Sequence, residues 1–351
     1  MRSPVLTELP EPPPGKTGWP WTEETEQLPD MMPGGSSWPR VSIVTPSYNQ
    51  AQFIEETIRS VLLQGYPNLE YMIVDGGSTD GSVDVIRKYE PWLTYWVSEP
   101  DRGQSHGLNK GFQHATGEIM AWLNSDDIYY PGALVSAVSS LRSSKSDIVI
   151  GAIDLVENKD GRLAFVRRAT PHTGAAIHAF PIFTNGRVED FHFIQSSMFW
   201  DRSIWELTGE LDERYQFCMD REWCLRALAN GAALDTTNSA LSRFSLHPGS
   251  KTQEHPAEFL LERALVYWRL SRMPGFRMVP CLLDSLLHLL HRVQDLSYAQ
   301  HDELYRNGHR GKASVVLLGA RMARRARLGL NRLAQFRRAG LLAEHARRGA
   351  A

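Results

Sequence analysis

From residue 41 onward, short apolar runs alternate with longer stretches in which apolar residues recur every three or four positions. Short apolar runs bounded by turn residues are typical of buried strands, whereas the longer period is typical of amphipathic helices. The runs predict five strands, at Val41–Pro46, Tyr71–Asp75, Leu93–Ser98, Ile119–Asn124 and Ile148–Ile153.

The stretches between these strands predict helices. Strands that alternate with helices of this length form right-handed βαβ units, so the pattern predicts an α/β fold with a Rossmann-like, mainly parallel sheet and flanking helices. Residues 151–195 predict a hairpin followed by a loop, and a strand or loop leads later to His247. The predicted helices are Gln52–Gln64, Ser82–Tyr89, Gln104–Ala115, Pro131–Leu141 and Arg221–Ala229.

Each of the first four strands ends in a polar segment. Ligands of an open parallel sheet bind beyond the carboxyl ends of its strands, so these segments predict one crevice. A single acid there could equally open a turn or cap a helix, but acids at three neighbouring strand ends repel one another unless a cation or a donor-rich ligand lies among them. The segments are 45–49, 75–78, 99–104 and 124–127.

Asp126 and Asp127 follow the fourth strand directly. Adjacent carboxylates suit Mg²⁺ or Mn²⁺, which phosphate oxygens and water would complete, so the site predicts a diphosphate ligand. The glycine-rich segment 76–81 lacks the glycine spacing of a dinucleotide-binding loop, and no Walker-type loop occurs. These absences disfavour dinucleotide oxidoreductases and P-loop ATPases.

The two ends of the chain differ from its middle. Residues 1–39 contain nine prolines and predict a flexible arm, while residues 251–351 predict a helical, basic C-terminal region. Residues 311–351 carry a net charge of +9, although the whole chain of 351 residues carries only −2. This tail fits a peripheral helix on an anionic membrane surface, and it fits a solvated or partner-binding helix equally well.

The cysteine usage predicts a cytoplasmic protein, peripheral to the inner face of the membrane if the tail binds there. Cys218, Cys224 and Cys281 have no metal-site spacing, and neither a signal peptide nor an apolar run of about 18 residues occurs. The overall charge gives no attraction to nucleic acid.

Four motifs in series resemble glycosyltransferase family 2, which has the GT-A fold. They are the segments 41–49, 74–82, 98–111 and 122–127, and the resemblance extends over residues 40–250, with a nucleotide-binding half at 40–130 and an acceptor half at 131–250. It implies an inverting, metal-dependent glycosyltransferase, of hexosyltransferase type, that uses a nucleotide-diphosphate sugar donor and a saccharide or lipid-linked acceptor, in glycan, polysaccharide or glycolipid biosynthesis.

The resemblance also implies roles for individual residues. Thr45, Pro46 and Tyr48 would hold the nucleoside and Asp75 its base, while Asp126 and Asp127 would reach the ribose and Mn²⁺ or Mg²⁺, with Asn124 in place of the family's first acid. Leu108 stands where the family often has Arg, so diphosphate neutralisation would pass to Lys110, Arg102 or the metal. The candidate nucleotide-sugar contacts are completed by Asn49, Asp101, Gln104 and Asn109.

In the acceptor half, Asp220 takes the position of the family's catalytic base. This base must lie on the face of the donor sugar opposite the departing diphosphate. Glu222 is the second candidate for the base or an acceptor contact. Gln195 and Ser196 lie in a segment that resembles the loop near the donor sugar and acceptor, and His247 matches a late histidine that contacts metal or diphosphate.

Two other functions remain open. A sugar-phosphate nucleotidyltransferase also needs a metal and a nucleotide crevice, although its Gly-rich, Arg-containing loop is missing after the first strand. A non-catalytic nucleotide-sugar-binding partner protein would keep the fold, although the retained acids argue against it. The nucleotide base, the sugar and the acceptor are not encoded in any motif that the sequence displays.

Overall fold

The computed structural model describes residues 1–159, 162–169, 195–247 and 249–251, with the short stretches 258–259, 262–263, 265–266, 269 and 306. The chain divides into two compact units, residues 1–173 with 192–250 and residues 174–191 with 251–351. All strands and candidate site residues belong to the first unit. Most of the predicted loop after the hairpin, the basic C-terminal tail and Cys281 lie outside the described residues.

Within the described residues, nine strands form one sheet. The five predicted strands are all present, with ends that differ by a few residues from the predicted ones. The strands are β1 (Val41–Ser47), β2 (Leu69–Asp75), β3 (Tyr95–Ser98), β4 (Ile119–Trp122), β5 (Ile128–Tyr129), β6 (Ile148–Lys159), β7 (Arg162–Ala169), β8 (Met198–Asp201) and β9 (Leu234–Leu246).

Six α-helices occur in the part of the first unit that the structure describes, and the five predicted ones are among them. In α1, the residues Ile54, Ile58, Val61 and Leu62 recur at helical spacing and are fully buried in the core. The helices are α1 (Ile54–Leu62), α2 (Ser82–Lys88), α3 (Gln104–Gln113), α4 (Ala133–Ser144), α5 (Arg202–Thr208) and α6 (Met219–Ala229).

The sheet is parallel in one half and mixed in the other. Its order is β3-β2-β1-β4-β8-β6-β9-β5, with β7 beside β6. The first four strands are mutually parallel, whereas β8 is antiparallel to both β4 and β6, and β5 is antiparallel to β9. The prediction of a mainly parallel sheet therefore holds only for the half that follows the βαβ pattern. The predicted hairpin is confirmed by the antiparallel β6–β7 pair.

Strands β5 and β8 and helix α5 were not predicted. These elements span two, four and seven residues, which is too short for a hydrophobic period to be recognised. Two of them complete the mixed half of the sheet, so this half is the part that the sequence pattern left undefined.

Residues 1–39 differ from the expected flexible arm. The buried guanidinium of Arg59 on α1 donates hydrogen bonds to the backbone carbonyls of Pro10, Pro20 and Trp21, at 2.8–3.0 Å. The indole of Trp19 donates to the carbonyl of Tyr129 at 2.8 Å. Prolines remove backbone donors but leave carbonyls available, and here these carbonyls bind a cation that the core buries.

Among the described residues, no helix combines the length and apolar character that crossing a membrane would require.

Candidate active site

The carboxyl ends of the parallel strands lie at one edge of the sheet, as predicted. Ser47 at the end of β1 pairs in register with Asp75 of β2, and Asp75 pairs with Ser98 of β3. On the other side of β1, Val44 pairs with Trp122 at the end of β4. The segments that follow these four strands therefore start from neighbouring positions.

Asp75 is fully buried and holds the loop after β2. Its Oδ2 accepts hydrogen bonds from the backbone N–H of Gly77 (3.1 Å) and Ser78 (2.8 Å) and from the Ser98 hydroxyl (2.7 Å). Its Oδ1 accepts a hydrogen bond from the Ser78 hydroxyl at 2.5 Å. Both carboxylate oxygens are thus occupied within the protein.

The loop after β1 is tied to the loop after β2 through Asn49. Asn49 adopts a positive φ of 52°, its N–H donates to Ser78 Oγ at 2.7 Å, and its Oδ1 accepts from the Thr79 N–H at 3.0 Å. Asparagine tolerates this left-handed conformation better than most residues. Beside it, the Tyr48 ring is 63% exposed and is available to stack on a ligand.

Asp101 approaches the same loop from β3. Its Oδ1 accepts from the Gly103 N–H at 2.8 Å, while a Cβ on Gly76 would lie only 2.9 Å from its Oδ2 and 3.3 Å from Tyr48 Cδ2. The absence of a side chain on Gly76 therefore leaves room for Tyr48 and Asp101 to pack against it. On α3, Gln104 Nε2 donates to Asn124 Oδ1 at 2.7 Å and so links this region to the end of β4.

The two adjacent acids after β4 face different surroundings. Asp127 is 1% exposed, and its Oδ1 accepts from the Ser245 N–H at 3.1 Å, while Asn124 Nδ2 lies 3.5 Å from Oδ2. Burial, reinforced by the neighbouring charge of Asp126, raises the pKa of Asp127 well above its usual value. Asp127 is therefore held within the fold by Ser245 and Asn124.

Asp126 points to His247 instead. Its Oδ2 lies 3.0 Å from His247 Nε2, and the Asp126 side chain is 21% exposed. The imidazole is stacked on Phe53, with ring centroids 4.6 Å apart. The described part of the chain holds no group of three or more His, Cys, Asp and Glu side chains arranged around a metal position. The available pair offers one carboxylate and one imidazole.

The predicted loop residues Gln195 and Ser196 lie beside β4. Gln195 Nε2 donates to the Trp122 carbonyl at 2.8 Å, and its Oε1 accepts from Asn124 Nδ2 at 3.2 Å. The Ser196 hydroxyl is buried and lies 3.0 Å from that of Ser242. Gln195 thus reaches the polar cluster, whereas Ser196 is bonded within the sheet.

Asp220 and Glu222 both lie in the first turn of α6. Asp220 Oδ1 accepts from the Arg221 N–H at 2.6 Å. Glu222 is buried, and each of its oxygens accepts a hydrogen bond from the Arg226 guanidinium at 3.0 Å. This bidentate ion pair occupies both oxygens of Glu222, so the structure gives that residue a role in holding α6.

The segment before α6 packs on α3. The Ser105 hydroxyl donates to the Tyr215 carbonyl at 3.2 Å, and Arg102 forms a bidentate ion pair with Glu213. A Cβ on Gly103 would lie 2.9 Å from Gln216 Oε1. These contacts hold the segment that leads into α6 against the beginning of α3.

Four predicted nucleotide contacts are buried or bonded to other residues of the protein. The Thr45 hydroxyl is buried 3.0 Å from the Tyr71 hydroxyl, and Pro46 is buried in β1. The Asn109 amide exchanges two 3.0 Å hydrogen bonds with the backbone of Leu211. Lys110 pairs with the carboxylate of Glu99 at 2.7 Å.

Sequence reasoning missed the residues that hold the acids in place. Ser98 and Ser245 bind Asp75 and Asp127 from segments 23 and 118 positions away, and no local pattern signals such pairs. Ser78 could have been found, because a serine three residues after a strand-ending Asp is well placed for a turn closed by side-chain hydrogen bonds.

Comparison with known proteins relates part of this chain to a sequence family. A sequence profile of the family described as "Glycosyl transferase family 2" matches residues 42–205. An uncharacterized glycosyltransferase of Rickettsia typhi is 34% identical over 131 residues, which are 37% of this chain and 41% of that protein. One of Mycobacterium tuberculosis is 37% identical over 105 residues, 29% of this chain and 40% of that protein. The chain thus spans less than half the length of these relatives.

Two solved structures share the fold. S. aureus TarS 1–349 in complex with UDP-GlcNAc has a TM-score of 0.52 and 15% identity, and the alignment covers 81% of this chain and 92% of that one. The mannosyltransferase PcManGT of Pyrobaculum calidifontis, in complex with GDP-Man and Mn²⁺, has a TM-score of 0.52 and 18% identity, with coverages of 86% and 90%. The α/β sheet with its flanking helices is similar to that of GT-A glycosyltransferases. Residues 42–205 of the chain match glycosyltransferase family 2.

Proposed function

We propose that the chain is an inverting, metal-dependent glycosyltransferase that transfers a sugar from a nucleotide-diphosphate donor to an acceptor hydroxyl. The observation that carries the proposal is the Asp126–His247 pair, which lies after β4 at the same sheet edge as the loop of Asp75. A carboxylate and an imidazole beside a polar crevice suit a cation that is shared with phosphate oxygens.

On the donor side, we assign the nucleoside to the exposed ring of Tyr48 and to the polar groups around it, Asn49, Asp101 and Gln104. Aromatic stacking with one or two hydrogen bonds suits a base and a ribose. The ligands named for the two solved structures, UDP-GlcNAc and GDP-Man, support this class of donor. The side chains of Thr45 and Asn109 are not used in the proposal, because their partners lie inside the protein.

Asp126 and His247 fit a divalent ion such as Mn²⁺ or Mg²⁺, and Asp127 does not. Mg²⁺ and Mn²⁺ sites at phosphate substrates commonly use one or two protein ligands and leave further positions to phosphate and water. An ion bound there would supply positive charge next to the leaving diphosphate. The Mn²⁺ named for PcManGT supports this assignment. Lys110, now paired with Glu99, is proposed as a further contact for the diphosphate.

Asp220 is proposed as the general base. Inversion requires attack of the acceptor oxygen on the anomeric carbon from the face opposite the diphosphate, and a carboxylate on that face takes the acceptor proton. Asp220 lies in the first turn of α6, which follows the segment packed on α3, whereas Glu222 is paired with Arg226. Gln195 is proposed to contact the donor sugar, because it shares the polar cluster of Asn124.

A saccharide or a lipid-linked molecule is proposed as the acceptor, in glycan, polysaccharide or glycolipid biosynthesis. The net charge of +9 over residues 311–351 suits a peripheral contact with an anionic membrane surface, which would bring a cytoplasmic enzyme to a lipid-linked acceptor.

The proposal is tested with a thermal-shift panel of UDP, GDP, TDP and CDP sugars, each with and without Mn²⁺. A ligand that binds only the native state raises the melting temperature, so we expect one nucleotide to give a Mn²⁺-dependent increase. Turnover of that donor is then measured in wild type, in Asp220→Asn and in a control, Asp84→Asn, whose carboxylate is exposed on α2.

We expect the control to behave as wild type and Asp220→Asn to keep donor binding but lose turnover. Donor binding without turnover in wild type would instead identify a non-catalytic nucleotide-sugar-binding protein. No shift with any donor would overturn the proposed function.

A further inference from the structure

Helix α1 presents a polar face to the segment that carries Asp126 and Asp127. Thr57 and Ser60 lie in α1, and Gln64 follows two residues after its end. Their spacing of three and four residues places them on the same side of the chain. All three are buried. Each forms a hydrogen bond with the backbone between residues 125 and 134, so this face of the helix binds one continuous loop.

Thr57 makes the contacts closest to the proposed metal ligand. Its Oγ1 lies 2.9 Å from the Ser125 carbonyl and 2.7 Å from the Asp127 carbonyl, and the residue is 0% exposed. These carbonyls belong to the residues immediately before and after Asp126. A threonine hydroxyl has one proton, which the two acceptors share, and the interaction therefore restrains both sides of Asp126 at once.

Ser60 and Gln64 fix the continuation of the loop. The Tyr129 N–H donates to Ser60 Oγ at 3.1 Å, and Gln64 Nε2 donates to the Tyr130 carbonyl at 3.0 Å. The N–H of Leu134 donates to Gln64 Oε1 at 3.3 Å. The segment after Asp127 is thus attached to the same helix, and Thr57 is the part of this attachment that reaches Asp126.

A threonine inside a helix usually bonds back to a carbonyl of its own preceding turn. Thr57 instead bonds to carbonyls 68 and 70 residues further along the chain. We propose that Thr57 is a positioning residue for Asp126, whose carboxylate it holds toward His247 by restraining the backbone on either side. This inference rests on the proposed function, because it assumes that the Asp126–His247 pair binds the divalent ion.

The experiment compares Thr57→Val, Thr57→Ser and wild type in the full chain. Valine keeps the shape of threonine but loses the hydroxyl, whereas serine keeps the hydroxyl. Ser42→Ala is the matched control, because the buried Ser42 hydroxyl also forms two hydrogen bonds. It donates to Glu70 Oε2 at 2.6 Å and accepts from the Gly117 N–H at 2.8 Å. Ser42 lies near the opposite end of β1 from the crevice.

Binding of Mn²⁺ alone is measured from the electron paramagnetic resonance signal of the free ion, and melting temperatures are measured in parallel. We expect Thr57→Val to weaken Mn²⁺ binding about tenfold, the lower limit for loss of a group that holds a metal ligand in place. Thr57→Ser should restore binding to within about twofold of wild type on the same reasoning. Ser42→Ala should lower the melting temperature and leave Mn²⁺ binding unchanged.

The outcomes separate this inference from the proposed function. If wild type binds no Mn²⁺, the metal site and the role of Thr57 are both overturned. If wild type binds Mn²⁺ and Thr57→Val binds it equally well, only the role of Thr57 is overturned. Equal weakening in Thr57→Val and Ser42→Ala would mean that general destabilisation causes the loss, and this result also overturns the inference.

Discussion

The loop after β2 and the turn after β4 both present an acid at the same edge of the sheet, but the two acids are used differently. Asp75 is fully buried, and both of its oxygens accept hydrogen bonds from neighbouring backbone and serine groups. Asp126 is partly exposed, and within the described residues its side chain has one hydrogen-bond partner, His247. The first acid maintains the shape of the crevice, and the second is available to a ligand.

The strongest test of this difference is Asp126→Asn. Loss of the negative charge should lower Mn²⁺-dependent donor turnover about 10²- to 10³-fold, as for removal of one group that stabilises transition-state charge. Because the side chain is partly exposed and has one described partner, stability should change by less than about 0.5 kcal/mol. Steady-state kinetics and urea unfolding measure the two effects, and turnover close to wild type would contradict the assigned role.

Asp75→Ala should show the opposite balance, with a loss of stability of about 2–3 kcal/mol. The substitution leaves two backbone N–H groups and two serine hydroxyls without their acceptor in a buried loop. Urea unfolding followed by circular dichroism measures the change. Asp101→Ala is the comparison, because the backbone hydrogen bond that its Oδ1 accepts from the Gly103 N–H should be worth only about 1 kcal/mol. Equal stabilities of the two variants would contradict the contrast.

Asp127 predicts a pH dependence. Its pKa is raised in the folded protein, whereas in the unfolded chain it is about 4. At pH values between these two pKa values, the native state binds more protons than the unfolded state. The free energy of unfolding contributed by Asp127 therefore falls as the pH rises through this window. Asparagine resembles the protonated acid, so the stability of Asp127→Asn relative to wild type should increase with pH.

Urea unfolding at several pH values between 4 and 8, in the presence of EDTA, measures this difference. A gap between the two proteins that stays constant over the whole range would mean that Asp127 titrates normally.

The smallest expected effect concerns Gly76→Ala. The added methyl group would lie 2.9 Å from Asp101 Oδ2 and would push the Asp101 side chain away from Tyr48. Overpacking of about 1 kcal/mol corresponds to a rise in the donor KM of about fivefold. Gly34→Ala is the control, because a Cβ there meets nothing within 4 Å. An unchanged KM in both variants would show that the Tyr48–Asp101 arrangement does not bind the donor.

The parallel half of the sheet was predictable because each βαβ unit has a recognisable local pattern of apolar residues. In β2 the four consecutive residues Tyr71–Val74 are apolar, and Asp75 after them marks the carboxyl edge. The mixed half was not predictable, since β8 inserts between β4 and β6 from a distant part of the chain. Strand order of this kind depends on non-local pairing, which short windows of sequence do not contain.

The candidate site divides in the same way. The residue types at the strand ends, including Asp126 and His247, were recognisable, and the structure brings these two side chains together. The difference between Asp126 and Asp127 was not recognisable, because it depends on the Ser245 N–H that occupies Asp127 alone. The ion pair between Glu222 and Arg226 could have been predicted from the sequence, because the two residues lie four positions apart on one helix.

The attachment of residues 1–39 to Arg59 affects where the protein can be shortened. The match to the family begins at residue 42, and a truncated protein that starts there would appear to be a complete catalytic domain. It would lack the three carbonyls that solvate a fully buried guanidinium, and it would uncover Gly65, whose Cβ position lies 2.3 Å from the carbonyl oxygen of Glu26. The segment that must be expressed for study is therefore longer than the segment that matches the family, residues 42–205.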